Sequence, residues 1–80
     1  MVDRKFLDKH IIVNPAIQQG KPCLRATRTP VYVILEALAM GMKTEEVKKE
    51  YAPLTDDGIR ACMLYASLLA SEEETNLLSA

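Results

Sequence analysis

Eighty residues, 49% of them hydrophobic, make a single domain, and one of this size buries only roughly 60–65% of the surface its unfolded chain exposes. Three Tyr and one Phe supply little aromatic bulk, so the core has to come from Leu, Ile, Val, Met and Ala, which favours helices packed through aliphatic faces. No apolar run approaches the ~20 residues of a spanning helix, and the charged start (Asp3, Arg4, Lys5, Asp8, Lys9) lacks the hydrophobic segment of a signal peptide, so the expected compartment is the cytoplasm, without a membrane partner.

Residues 1–10 show no clear period and read as an irregular lead-in. Ile11, Ile12 and Val13 are β-branched and stop at the turn signal Asn14-Pro15; after Gln18-Gln19-Gly20, residues 22–26 form a second short strand. Residues 11–28 therefore read as a small β-hairpin or β-arm, marginal alone, that must dock on the helices behind it.

Thr29-Pro30 predicts a helix over residues 30–40, with Thr29 as the capping oxygen and Pro30 at the first helical position, where its missing donor costs nothing. Val31, Ile34, Leu35 and Leu38 form its main stripe, and Glu36 is its only charge, so it is expected to be buried on more than one side. Gly41 is placed to end it in a left-handed conformation. Thr44 caps a second, short helix through Tyr51, with Val47 and Tyr51 inward, Glu45 and Lys49 one turn apart, and a solvated face of Glu46, Lys48 and Glu50. Pro53 excludes continuation, and Leu54 plugs the turn.

Thr55, Asp56 and Asp57 open the third helix with a capping oxygen and two carboxylates suited to the dipole. Ile59, Cys62, Met63, Ala66, Leu69 and Ala70 define its core stripe, and a second stripe of Ala61, Leu64 and Leu68 lies nearly opposite. The tail, residues 71–80, either extends this helix or frays. Its Glu72, Glu73 and Glu74 read as a solvated end, and Leu77 and Leu78 are free to latch onto a neighbour. The expected fold is mainly α: a tri-helical core, residues 29–70, of helix-turn-helix type, preceded by the β-arm.

The ordered residues Ile12-Val13-Asn14-Pro15, Gly20-Lys21-Pro22, Thr27-Arg28, Pro30-Val31, Gly41, Glu45-Glu46 and Pro53-Leu54-Thr55 resemble the signature of domain of unknown function 433, a family of small bacterial proteins related to VapB-type antitoxins. Ala26 departs from it by standing where the pattern has Gly before Thr-Arg, and Leu54 by following Pro53 directly. The resemblance covers about residues 10–70. It implies a homeodomain-like helix-turn-helix fold and a place beside PIN-like ribonuclease toxins.

The net charge of −1 hides an imbalance of +4 over residues 1–30 and −5 over residues 31–80. Any surface that seeks anions must come mainly from the first third. An antitoxin-type, DNA-binding regulator would hold phosphates through Lys21, Arg25 and Arg28 of the β-arm, with Arg60 the only cation on the third helix. The same arginines read equally well as ion pairs with Glu36, Glu46 or Glu50. The second stripe, Ala61, Leu64 and Leu68, wants another surface, and a homodimer through the third helix would bury it, as would the β-arm of the same chain folded over it. The alternative function is a protein-interaction module that holds a PIN-like ribonuclease toxin without binding DNA.

Neither Cys23 nor Cys62 has a second Cys or His at metal-ligand spacing, so a reduced pair is expected, with Cys62 in a packing role. A disulfide would call for a secretory context. His10 and Cys23 lack an orienting carboxylate and an oxyanion site, and no enzyme, metal or cofactor is expected.

Overall fold

The computed structural model describes residues 3–78, with side chains through residue 72. It is mainly helical, with four helices and one short antiparallel hairpin. The first helix, α1 (Arg4–His10), falls where the sequence predicts an irregular lead-in. The Asp3 carboxylate accepts the Phe6 N–H at 3.1 Å and caps it, Lys9 and His10 sit at its negative end, and Leu7 is its one buried side chain. Seven residues are too few to show a repeat and too few for a helix to stand alone; α1 exists because Leu7, with Phe6 half-buried beside it, joins the core against the last helix.

Strands β1 (Ile11–Ile12) and β2 (Cys23–Leu24) pair with Ile11 opposite Leu24 and Ile12 opposite Cys23, each shorter than its expected segment. Val13 lies outside the pairing and is exposed. The Asn14 side chain accepts from Ala16 N–H at 2.9 Å and its carbonyl from Ile17 N–H at 2.8 Å, so Asn14-Pro15 turns the chain as predicted. Gln18, Gln19 and Gly20 then bring it back with positive φ.

The hairpin also starts α2 (Val31–Ala39). Leu24 N–H donates to the Thr29 carbonyl, and Val31 N–H, the first of the helix, donates to the Pro22 carbonyl, both at 2.9 Å. Pro30 therefore occupies the capping position and Thr29 caps nothing through its side chain, because Pro22, directly before β2, already supplies the acceptor. The positive φ near the Thr-Arg step falls on Arg28, at 58°, and Ala26 is free of that strain. Beyond Met40, Gly41 adopts φ 103°; its N–H reaches the Leu38 carbonyl and Met42 N–H the Ala37 carbonyl, each at 3.1 Å, a Schellman closure. Val31 and Ile34 are buried, Leu35 and Leu38 half-buried, and Met40 is 81% exposed, so α2 is covered less completely than its composition predicts.

In α3 (Thr44–Glu50) the Glu46 carboxylate accepts from Lys43 N–H at 2.8 Å, which makes Lys43, rather than Thr44, the capping residue. Val47 is fully buried and Leu54 closes the turn that follows. Thr55 caps α4 (Asp56–Leu78) by accepting from Gly58 N–H at 3.1 Å. Gly58 lets Leu54 close in, since a Cβ there would stand 2.8 Å from Leu54 Cδ1. The helix continues through Ser71, and the expected latching of Leu77 and Leu78, like the side chains of Glu73 and Glu74, lies outside the described residues.

The core joins Leu7, Ile11, Leu24, Val31, Ile34, Val47, Leu54, Ile59, Ala61 and Cys62. On α4 it ends at Cys62, so the expected core stripe holds only for Ile59 and Cys62; Met63 and Leu69 are exposed and Ala66 half-buried. The residues of the expected dimer seam, Ala61, Leu64 and Leu68, all meet their own chain. Ala61 is wholly buried in its own chain, and Leu64 and Leu68 are half-buried against its core, because α1 takes the side of α4 the sequence leaves open.

If α1 is structural in this way, Leu7→Ala lowers stability by about 2–4 kcal/mol, read as a lower urea midpoint, whereas an irregular lead-in would lose almost nothing.

Candidate nucleic-acid interface

Arg25 follows β2 and ties the hairpin to α1. Its N–H donates to the His10 carbonyl at 2.9 Å and its Nε to the Asp8 carbonyl at 2.6 Å, two acceptors that the end of a helix leaves without intrahelical partners. Both acceptors are neutral, so the guanidinium charge is not cancelled. Arg25 lines two neighbouring hollows. One, of about 340 Å³, also takes Lys9, His10, Thr27 and Thr55; the other, of about 350 Å³, takes Arg4, Asp8, Tyr65 and Leu68.

The other expected contacts are dispersed. Lys21 sits 5.0 Å over the Tyr32 ring, beside α2. Arg28 is exposed on the turn between β2 and α2. Arg60 lies 3.2 Å from the Asp57 carboxylate and 5.5 Å from the centre of the Phe6 ring. Arg25 and Arg28 are exposed on the arm, and Lys21, Arg25 and Arg60 line different hollows.

The ion pairs among the described residues all lie in the second half of the chain. Lys48 reaches Glu45 and Asp56, each at 2.9 Å, and Arg60 reaches Asp57. The expected pairs from Arg25 or Arg28 to Glu36, Glu46 or Glu50 do not form, nor does Glu45 with Lys49; Lys48, expected on a solvated face, instead staples α3 to the start of α4. Hydrogen bonds to Asp56 first and Glu45 second raise the Lys48 pKa. Among the described residues, Arg4, Lys5, Lys9, Lys21, Arg25 and Arg28 enter no ion pair.

Sequence reasoning missed Arg4, Lys5, Lys9 and His10 because it gave residues 1–10 no element. The signal was present: Asp3 in a capping position, then Phe6 and Leu7, with Leu7 and Ile11 one turn apart. His10 ends α1 directly before β1, and its ring tilts against Phe6, centroids 4.8 Å apart.

The cysteines are free and buried, in accord with the reduced pair. Cys23 Sγ donates to the Lys21 carbonyl at 3.3 Å, and burial raises its pKa. Burial pushes the Cys62 thiol up to about 11, so it is protonated at neutral pH and serves the core as an apolar group. A raised thiol pKa favours the folded state fully below the usual value near 9, and that contribution is lost as pH climbs through about 11. Stability of the native chain should therefore fall more steeply over that range than that of Cys62→Ala, measured as urea midpoints at matched pH.

Among models of known protein families, the one described as "Protein of unknown function (DUF433)" matches residues 11–66. No curated protein and no solved structure matches the chain. Helix α1 lies before the matched residues and the distal half of α4 after them.

Proposed function

We propose, from the premise that this chain belongs to the DUF433 family of proteins of unknown function, that it is an antitoxin-type transcriptional regulator: a homodimer that grips DNA by its phosphates through α1 and the hairpin. The observation that carries this reading is that, among the described residues, six cations over residues 3–30 stand outside every ion pair, while the ion pairs that form join Lys48 and Arg60 to Glu45, Asp56 and Asp57. Unpaired Lys and Arg side chains release counterions when they meet phosphates, which drives association whatever the base sequence.

In this reading α3 and α4 are the paired helices of a homeodomain-like helix-turn-helix, but α4 is a weak reader of bases. Its first turn carries Asp56 and Asp57, and Arg60, its only cation, is already engaged with Asp57. Affinity then comes from Arg4, Lys5, Lys9, Arg25 and Arg28, with Lys21 turned aside, and sequence preference from the fit of the duplex to the protein's shape.

A second reading, that the chain holds a PIN-like ribonuclease toxin, draws on the hollow of about 460 Å³ between Phe6, Arg60, Met63 and Leu64, where Met63 is exposed. Apolar contacts there would not be screened by salt. A complex with the product of the neighbouring gene should then survive ~1 M salt during co-purification.

The DNA reading is tested by anisotropy titration against the chain's own upstream DNA over a series of salt concentrations. Lys9→Ala and Arg28→Asn, the latter chosen because Asn tolerates positive φ, should each reduce the log-log salt slope by about one unit per subunit. Absence of binding at low salt, or slopes that ignore both substitutions, would refute it.

A further inference from the structure

Helix α4 outruns the body that holds it. Its buried residues are confined to Gly58, Ile59, Ala61 and Cys62, and from Met63 through Glu72 no side chain is buried. The helix nevertheless runs to Leu78, about 24 Å beyond Cys62 at the usual rise per residue. A helical stretch of that length is marginal in water unless a face of it is covered. The uncovered face is apolar at one place. Tyr32, 52% exposed, and Leu69, 44% exposed, flank a groove of about 260 Å³ between α2 and α4 that Leu35, Tyr65 and Ala66 also line, with Lys21 at its rim.

We propose that this groove is the two-fold seam of a homodimer, filled by the distal half of α4 from a second copy running antiparallel; the proposal gives the assembly of the preceding reading its location and rests on that reading only for the existence of a dimer. Two features choose a second copy as the occupant. Ala66 and Leu69 are at once part of the groove wall and part of the helix in need of cover, which is the self-complementarity a two-fold contact requires, and Ala66 is small enough to admit a close helix.

Charge chooses the direction. Glu72, Glu73 and Glu74 follow one another near the end of α4, and Lys21 is the cation of the groove. An antiparallel pair crossing at Leu69 sets residues 72–74 of one copy opposite residues 64–66 of the other, alongside Lys21. A parallel pair would set the two glutamate runs against each other. Lys21 thereby becomes an interface residue rather than a phosphate contact.

Sedimentation equilibrium on the full chain tests this. The native protein should sediment at twice its 8.9 kDa chain mass. Leu69→Glu, which in the isolated chain alters a solvent-facing side chain and in the seam sets like charges across the axis, should weaken the dimer by about 100-fold or more, with a loss of helical circular dichroism no larger than the distal half of α4 contributes. Met40→Glu, outside the groove, should leave it intact. Lys21→Glu should weaken it by about tenfold, and adding Glu72→Lys, Glu73→Lys and Glu74→Lys should restore it. A native chain that stays monomeric at ~100 µM, or a dimer indifferent to Leu69→Glu, overturns the seam. A monomer that still binds DNA with the expected salt slope sinks the seam alone, whereas a dimer broken by Leu69→Glu but blind to DNA supports the seam and removes the regulator reading.

Discussion

Everything in this small domain hangs on a strand of two residues. Cys23 and Leu24 are both buried, and the backbone around them takes up the loose ends of two helices. Arg25 donates twice to the last turn of α1, Leu24 N–H to Thr29, and Val31 N–H at the head of α2 to Pro22. Each such bond contributes about 1 kcal/mol net, and a hairpin this short has no stability of its own. The joint works because the bonds are shared between elements that are each too short to persist alone. It also fixes where α1 lies, and so which side of α4 is covered.

That covering decides the electrostatics. With α1 laid against α4, Arg25 lines one hollow with Lys9 and another with Arg4, and the Asp3 carboxylate is spent on the cap. The carboxylates of the later segment are meanwhile drawn to Lys48 and Arg60, which tie α3 to α4 and steady the first turn of α4. The opposite charges of the two halves therefore do not attract each other into pairs.

Features set by one residue's own backbone or by its nearest neighbours in sequence were legible beforehand. Gly41 ends α2 because positive φ suits glycine, Thr55 caps α4 through a hydroxyl three residues from its donor, Asn14 turns the chain with its own side chain, and Leu54 is the one large apolar residue available to fill the turn before α4. What escaped depended on partners distant in sequence. Helix α1 owes its existence to α4, and Thr29 loses its capping role to the Pro22 carbonyl, a bond no local pattern announces. Periodicity on α4 was read as two continuous stripes, yet burial follows the size of the body beneath as well as the spacing of apolar residues. Leu69 keeps the spacing of Cys62 but has nothing under it. Of the candidate cations, Arg25 and Arg28 were legible as charges on a turn-rich arm, while Lys9 and Arg4 required knowledge of α1.

The extent of the family match cuts the molecule at physically meaningful places. Residues 11–66 comprise the hairpin, α2, α3 and the part of α4 that carries its buried residues, which together hold all of the core except Leu7. This is the portion whose sequence is constrained by packing. The two pieces outside it bear on the protein differently: α1 adds one buried leucine and a set of unpaired cations, and the distal half of α4 adds an exposed leucine followed by three glutamates. Helix α1 completes the core through Leu7, whereas the distal half of α4 adds no buried side chain among the described residues. Exposed cations lie on the N-terminal extension, and on the C-terminal one Leu69 is left uncovered by the body of its own chain.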